Sequence, residues 1–409
     1  MEPIRINATR LNGRIREMAM IGALPSGGVN RPALSQEDKK ARGLLASWAT
    51  ELGLVTTVDE IGNMFALLKG KNPDRCIGIG SHLDSVSTGG KYDGPVGVLG
   101  ALEVAQTLIE NNMRPNSNLV VANYTNEEGV RFLPDMMGSL AHVNAGQVKD
   151  FWQSQDENGT TVESALTGIG YKGTMKCGTI RYDYFIEIHI EQGPVLEQRK
   201  TDIGVVKGVQ AIHWMKLAIE GKSAHAGTTP IPARKDAFHA LGRLSNHARE
   251  LCLEIEDQLV TIGTLRLYPN AINVVPEKVV ATLDVRNPDD GKLKQALEKL
   301  DYFMATDPSF SGLKTTKEVL VDVPAVTFDK KVTEAIAKSC GQLGYTFHAM
   351  HSGAGHDAQI LGTKYPAAMI FIPSKNGASH TVDEYSSPEQ IEKGANVLLH
   401  TVLHLDRGN

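Results

Sequence analysis

Short apolar runs of strand character alternate with helical apolar stripes along most of the chain. Strands are predicted at residues 55–58, 64–68, 77–80, 119–124, 184–190 and 367–372. Pro95 opens a helix between the third and fourth of these strands, and its buried stripe consists of Val98, Leu102, Ala105 and Ile109. The order strand, helix, strand predicts an open α/β sheet.

The middle of the chain has a different pattern. Strands are predicted at residues 212–220, 259–267, 278–286 and near residue 319, with helices from about residue 233 and around residues 293–303. Two helices and about four strands form an α+β unit. The α/β pattern resumes after Pro324 with a helix at 332–343, a polar loop at 351–358, a strand, and a last helix capped by Ser387 and Gln390. We therefore predict a catalytic domain of residues 1–208 and 325–409 that carries residues 209–324 as an inserted domain.

Polar residues with metal-binding side chains follow the predicted strands of the α/β part. In an open α/β sheet, ligands bind at the carboxyl ends of the strands, so these side chains are expected to converge. Histidine and carboxylate ligands without thiolates suit zinc, manganese or a similar divalent ion in an open catalytic site. The residues concerned are His82, Asp93, Glu127, Glu128, His189 and His380.

Composition narrows the class of protein. A net charge of −5 gives no electrostatic footprint for nucleic acid, and no apolar run approaches membrane-spanning length. The four cysteines are far apart and form no C-x-x-C pair, so we expect them to be reduced. The N-terminus lacks the features of a signal peptide. The sequence thus predicts a cytoplasmic protein, with neither nucleic acid nor a membrane as a partner.

Three other interpretations of these motifs compete with that of a metal-dependent enzyme. Residues 168–173 contain a lone G-x-G-x-x-G, but a clear strand before it and an amphipathic helix after it are missing. Ser379 could be the nucleophile of a serine hydrolase, yet Thr381 stands where the nucleophile elbow requires glycine. The third is a non-catalytic metal-binding protein. Glu127 beside Glu128 argues against it, because metal binding alone needs no general base.

As a set, seven segments resemble the two-metal aminoacylase and carboxypeptidase superfamily. They are GSHLDSVSTGGKYDGPVGVL, TNEEGVRF, HIEQGPVLE, GKSAHAGTTP, NVVPEKVVATLDVR, SGAGHDAQ and GASHTVDEY. Within the superfamily the chain resembles the branch of N-carbamoyl-L-amino acid hydrolases, β-ureidopropionases and allantoate amidohydrolases, because His189 stands where peptidase relatives generally have an acidic ligand. The resemblance implies an α/β fold: a mixed-sheet, di-metal exopeptidase-like catalytic domain with an inserted α+β lid and dimerisation domain.

The resemblance also implies a role for each site residue. Two metals would be held, with Asp93 bridging them, by His82, Asp93, Glu128, His189 and His380. Glu127 would be the general base, and Asp84 would orient His82 through its other ring nitrogen. The remaining residues would bind substrate: His225 and Asn273 would steady the oxyanion, Arg286 would hold a carboxylate, and Gln192 and His356 would complete the site.

The implied reaction is hydrolysis of the ureido C–N bond of N-carbamoyl-L-amino acids or N-carbamoyl-β-alanine, which yields the amino acid, CO2 and ammonia. Allantoate amidohydrolase is the nearest alternative, followed by an N-acyl amino acid or dipeptide hydrolase. Two divalent metals per subunit are expected, with zinc preferred over manganese, cobalt or nickel. The resemblance further implies a homodimer formed through the inserted domain, with His225 acting on the partner's site.

Overall fold

The structure, a computed structural model, describes residues 3–407, which form two compact units. Unit 1 consists of the residues up to 208 and those from 327 onwards, and unit 2 consists of residues 209–326. The strands are β1 (Val55–Val58), β2 (Met64–Leu68), β3 (Asn72–His82), β4 (Ser117–Tyr124), β5 (Tyr184–Ile190), β6 (Ile203–Val209), β7 (Ala211–Glu220), β8 (Ala224–His225), β9 (Leu259–Tyr268), β10 (Val274–Val275), β11 (Lys278–Asn287), β12 (Lys314–Val323), β13 (Val326–Thr327), β14 (Phe347–Ser352) and β15 (Ala367–Ile372). The helices are α1 (Ala8–Ala19), α2 (Gln36–Glu51), α3 (Pro95–Glu110), α4 (Met137–Val143), α5 (Val148–Gln153), α6 (Val162–Ile169), α7 (Val195–Arg199), α8 (Ala237–Glu254), α9 (Asp290–Thr306), α10 (Lys330–Leu343), α11 (Asp357–Gly362) and α12 (Pro388–Arg407).

Unit 1 is built on a mixed sheet with the strand order β1-β2-β4-β3-β5-β15-β6-β13, and β14 pairs with β6. The four neighbours β4, β3, β5 and β15 are parallel, whereas β2 joins β4 and β6 joins β15 in antiparallel fashion. Parallel strands end at the same edge of a sheet, so the chain leaves these four strands side by side. The predicted α/β mixed-sheet fold is confirmed.

Two helices show why the sequence folds this way around the sheet. Pro95 occupies the first turn of α3, and the preceding Gly94 has φ 78°, a conformation that favours glycine. The predicted cap of α12 is confirmed, because Ser387 N–H donates to Gln390 Oε1 at 2.7 Å and Gln390 N–H donates to Ser387 Oγ at 3.2 Å. Both helices bury long apolar faces within unit 1.

Unit 2 contains a four-stranded antiparallel sheet in the order β12-β7-β11-β9 and a two-stranded sheet of β10 and β8. Residues alternate between buried and half-buried along β11, as expected for a sheet with one covered face. The apolar stripes of α8 and α9 share one core with this sheet, which includes Leu217, Ile219, Leu241, Leu244, Val279, Leu283, Leu293 and Leu300.

Several boundaries differ from the sequence prediction, including that of β3, which begins at Asn72 rather than at residue 77. Helix α8 begins at Ala237 rather than near residue 233, because the Asp236 carboxylate caps it by accepting the N–H groups of Phe238 and His239. The segment 351–358 is not a single loop, since β14 runs to Ser352 and α11 begins at Asp357. None of the helices within residues 3–407 combines the length and the apolar character needed to cross a membrane.

His142 on α4 makes the stability of unit 1 sensitive to acid. Its ring is buried and stacks on Tyr182 with the ring centroids 5.3 Å apart. Burial lowers the pKa of His142 to about 4, so above pH 6.5 both folded and unfolded chains hold it neutral. As the pH falls from 6.5 towards 4, His142 binds a proton in the unfolded chain but stays mostly neutral in the folded chain, so the free energy of unfolding decreases.

We expect His142→Phe to remove this part of the acid sensitivity, because phenylalanine keeps an aromatic ring but cannot bind a proton. Between pH 7 and pH 5 the metal-free wild type should lose about 2 kcal/mol more unfolding free energy than the variant. Urea unfolding at the two pH values measures this difference. Equal losses in both proteins would contradict the prediction.

Candidate metal centre

The parallel strands of unit 1 bring the predicted ligands to one edge of the sheet. His82 is the last residue of β3, and Asp93 ends the loop that leads into α3. Glu127 and Glu128 follow β4, and His189 lies near the end of β5. The loop after β15 adds the last side chain, His380. A cleft of about 150 Å³ opens here, lined by Asp93, Glu127, Glu128, Asp135, Met136, Gln192, Ala354, Gly355, His356 and His380.

The ligands form two groups that share Asp93. In the first group, Asp93 Oδ1 lies 3.5 Å from His82 Nε2 and 3.1 Å from His189 Nε2. In the second, His380 Nε2 lies 3.4 Å from both Asp93 Oδ2 and Glu128 Oε2. The ligand atoms within each group lie within 4.8 Å of one another. The two carboxylate oxygens of Asp93 therefore face different groups, as a bridging carboxylate would.

Main-chain hydrogen bonds fix the tautomers of the two buried histidines. His82 Nδ1 lies 3.0 Å from the carbonyl oxygen of Asp84, and His189 Nδ1 lies 2.9 Å from that of Ile190. A carbonyl only accepts, so Nδ1 carries a proton, and in the neutral ring Nε2 keeps its lone pair. Both Nε2 atoms are buried without a hydrogen-bond partner among residues 3–407. Such orphaned lone pairs, which face carboxylates, fit a divalent metal.

Asp84 acts through its main chain and its side chain in different ways. Its carboxylate oxygens are not the closest partners of His82, since Oδ1 lies 3.9 Å from Nδ1. They instead accept the main-chain N–H groups of Glu127 and Glu128, each at 3.2 Å. The contact that orients His82 therefore comes from the Asp84 carbonyl, while the carboxylate holds the glutamate pair in place.

Glu127 is buried and Glu128 half-buried beside other carboxylates, and the pKa values of both rise accordingly. Burial raises the pKa of Glu127 well above its ordinary value and that of Glu128 to about 7, and neighbouring carboxylates add to both shifts. A hydrogen bond to Asp93 raises the pKa of His380 to about 9. Burial would raise the pKa of Asp93 as well, but His189 and the other histidines outweigh burial and lower it. Bound cations would relieve the repulsion between these carboxylates.

Two predicted substrate-binding residues lie at the rim of the ligand cluster. Gln192 Nε2 donates to Asp93 Oδ2 at 2.6 Å, and Gln192 itself has φ 58°. His356 packs its ring 4.6 Å from that of His189, and its Nε2 lies 2.9 Å from Ser352 Oγ. Both residues line the cleft beside the ligands.

The other three predicted substrate-binding residues belong to unit 2. Val274, next to Asn273, pairs with His225 across β8 and β10, and Ala226 N–H donates to the Asn273 carbonyl at 2.9 Å. Strand pairing thus brings the two predicted oxyanion residues together. Arg286 lies on β11, where its Nε and Nη2 donate to the Asp284 carboxylate at 2.8 to 3.0 Å.

Sequence reasoning missed two residues that contact the ligand loops. Ser379 Oγ donates to Asp93 Oδ2 at 2.9 Å. This hydrogen bond gives Ser379 a structural contact, whereas the sequence offered it only as a possible nucleophile. Glu384 accepts the main-chain N–H groups of Tyr92 and Asp93. Their only sequence signal is their position in GASHTVDEY, close to His380.

The glycines of the G-x-G-x-x-G segment also have structural positions. Gly168 lies inside α6, and Gly170 ends that helix with φ 78°. A dinucleotide-binding loop would have these glycines at the start of a helix.

Histidines and carboxylates that could hold metal, with a further glutamate on the same cleft, are the arrangement expected of a metal-dependent hydrolase. The chain belongs to the peptidase family M20/M25/M40, which it matches over residues 78–404.

Individual relatives cover nearly the whole chain. An N-carbamoyl-L-amino-acid amidohydrolase of Rhizobium meliloti is 37% identical, across 98% of this chain and 96% of its own length. An allantoate amidohydrolase of Bacillus subtilis (strain 168) is 33% identical, across 94% of each chain. The crystal structure of an amidase of the hydantoinase/carbamoylase family from Burkholderia multivorans superposes with a TM-score of 0.95 at 38% identity, covering 98% of both chains.

Proposed function

We propose that this protein is a metal-dependent amidohydrolase that acts on N-carbamoyl-L-amino acids or N-carbamoyl-β-alanine. Water cleaves the ureido group, so that the products are the free amino acid, CO2 and ammonia. The observation that carries the proposal is Asp93, whose two oxygens face separate ligand groups beside the buried Glu127. The named activity of the Rhizobium meliloti relative supports the substrate class.

The ligand set supports two divalent metals, with zinc preferred over manganese, cobalt or nickel. His82 and His189 would hold one metal, Glu128 and His380 would hold the other, and Asp93 would contact both. Bound divalent cations supply Lewis acidity and lower the pKa of water that they coordinate. This chemistry suits a ureido carbon, which its two nitrogens make a poor electrophile.

Glu127 is the proposed general base. It is buried at the cleft, and its Oε2 lies 3.5 Å from His82 Nε2. The hydrogen bond from its N–H to Asp84 fixes its main chain, which leaves the carboxylate to accept a proton from the attacking water. The same carboxyl group then returns the proton to the leaving nitrogen. General acid–base catalysis of this kind contributes about 10² to 10⁴ in rate.

His225 is the proposed donor to the carbonyl oxygen of the substrate as negative charge develops there. Its Nδ1 accepts the main-chain N–H groups of Gly227 and Thr228 at 3.0 and 3.2 Å. Nδ1 therefore holds no proton in the neutral ring, so the proton lies on Nε2. An exposed Nε2–H is a suitable oxyanion donor, and the neighbouring Asn273 provides an amide for the same purpose.

Arg286 is the proposed partner of the substrate carboxylate. The planar guanidinium binds Asp284 with more than one donor, which is the geometry it would use for a carboxylate on the substrate. Asp284 also keeps the guanidinium oriented before substrate arrives. Gln192 and His356, both on the cleft, would contact the ureido group.

We further propose that the protein is a homodimer through unit 2 and that His225 completes the site of the partner subunit. The proposal rests on the family resemblance, and on His225 lying in unit 2 while the ligands lie in unit 1. Dimers of two differently tagged subunits test it. A His225→Ala subunit paired with a Glu127→Gln subunit should keep one intact site, and so about half of the wild-type activity.

The reciprocal dimer is the control for this experiment. A subunit that carries both substitutions, paired with a wild-type subunit, should be inactive if His225 acts in trans. Action within one subunit would give the opposite pair of results. A fully active monomer would also contradict the proposal.

The substrate is tested with protein stripped of metal and reloaded with zinc, manganese or cobalt. Ammonia release is measured from N-carbamoyl-L-amino acids, N-carbamoyl-β-alanine and allantoate, and release of amino acid is measured from an N-acetyl amino acid. We expect turnover of the carbamoyl amino acids. Exclusive turnover of allantoate would instead support the activity named for the Bacillus subtilis relative. Exclusive turnover of the N-acetyl compound would support an acylase.

The cytoplasmic location stays a prediction of the sequence.

A further inference from the structure

One buried carboxylate connects two of the three loops that carry the ligands of the second group, those of Asp93 and His380. Glu384 is 4% exposed and lies four residues after His380. Its Oε1 accepts the N–H groups of Tyr92 and Asp93 at 2.9 and 3.1 Å. Its Oε2 lies 3.3 Å from Ser379 Oγ, which in turn lies 2.9 Å from Asp93 Oδ2. Glu384 therefore contacts both the main chain of Asp93 and the residue before His380.

The loop before Asp93 is shaped to admit this carboxylate. A Cβ atom added at Gly90 would overlap the carboxyl group of Glu384. Only glycine lets the main chain approach so closely. The contact between the two loops thus depends on residues from both of them, Gly90 on one and Glu384 on the other.

The two histidines of the first ligand group are oriented by other means. The Asp84 carbonyl holds His82 and the Ile190 carbonyl holds His189, and both carbonyls are independent of Glu384. Within residues 3–407, the hydrogen bonds of the Glu384 carboxylate reach Tyr92, Asp93 and Ser379. Loss of Glu384 should therefore disturb the second group more than the first.

We propose that Glu384 is a positioning residue that assembles the second metal-binding group, formed by Asp93, Glu128 and His380. This inference rests on the proposed function only for the presence of two metals. Without the carboxylate, the Asp93 and His380 loops lose their shared partner, and the second metal is bound more weakly. Partners that orient metal ligands typically contribute 10- to 100-fold to metal affinity.

Zinc binding to the metal-free protein, measured by equilibrium dialysis and elemental analysis, tests the inference without any substrate. We expect the wild type to bind two zinc ions and Glu384→Ala to bind one with a smaller loss of affinity and the other at least about 10-fold more weakly. Glu384→Gln should restore most of the loss, because its amide oxygen can still accept both N–H groups. Ser379→Ala, which removes only the hydroxyl link, should weaken the second ion to a smaller extent.

Asp406→Ala is the matched control. Asp406 is also a buried carboxylate of unit 1 that accepts two main-chain N–H groups, from Asn116 and Ser117, but it contacts no ligand loop. The Asp406→Ala variant should bind both zinc ions as the wild type does. The inference is overturned if Glu384→Ala binds both ions normally, weakens both equally, or behaves as Asp406→Ala does. It is also overturned if Glu384→Ala does not fold and Ser379→Ala binds normally. Failure of every substrate in the activity panel would leave these binding results intact.

Discussion

We expect Glu127→Gln to lower kcat by about 10²- to 10⁴-fold while both metals remain bound. Glutamine has nearly the same shape and keeps the N–H group that donates to Asp84. It cannot take a proton from water, so only the chemical step is lost. Ammonia release and elemental analysis of the same samples measure turnover and metal content together.

The neighbouring glutamate provides the control. Glu128→Gln should lower metal content as well as turnover, because Glu128 belongs to the second group of residues that could hold a metal. The measurement of metal content would then distinguish the role of Glu127 from that of the adjacent Glu128. Wild-type turnover in Glu127→Gln would remove the proposed base from the mechanism.

Asp93→Ala should have the second large effect, the loss of both metals and of detectable turnover. Asp93 gives one oxygen to each ligand group, so its removal takes a ligand from both. It also leaves His82, His189 and His380 without the carboxylate that all three contact. Metal content should fall from two ions per subunit to nearly none in equilibrium dialysis.

Single-group variants make this prediction specific. His189→Ala should weaken the first metal and His380→Ala the second, because each histidine belongs to one of these two groups. If Asp93→Ala still bound one metal tightly, Asp93 would serve a single group and the bridging assignment would be wrong.

Much of the architecture could be predicted because the strands have clear boundaries. The predicted strands at 55–58, 64–68, 184–190 and 367–372 agree with the structure to the residue. Each is a short apolar or alternating run that ends at glycine, proline or polar residues. The convergence of His82 and Glu127 also follows from the sequence, since parallel neighbours joined by a helix must end at the same edge.

Other features depend on contacts between distant segments and left no local signal. The strand Phe347–Ser352 is mostly exposed or half-buried, so its apolar pattern is weak. Glu384 and its partner Tyr92 are 292 residues apart in the sequence. A lone glutamate in a polar loop normally indicates solvent exposure, so nothing local indicates this contact. The division of ligands into two groups depends on which Asp93 oxygen faces which histidine. Only the folded loop determines that.

The order in which the two units can fold during synthesis follows from the way unit 1 is divided along the chain. Unit 2 is a continuous segment and can fold as soon as it leaves the ribosome, whereas unit 1 must wait for its second half. His380 lies in the part of unit 1 that follows unit 2, so the nascent protein cannot complete the candidate metal centre until that part has been synthesised. A chain that ends before residue 380 would therefore contain the whole of unit 2 but would lack the histidine that completes the second ligand group.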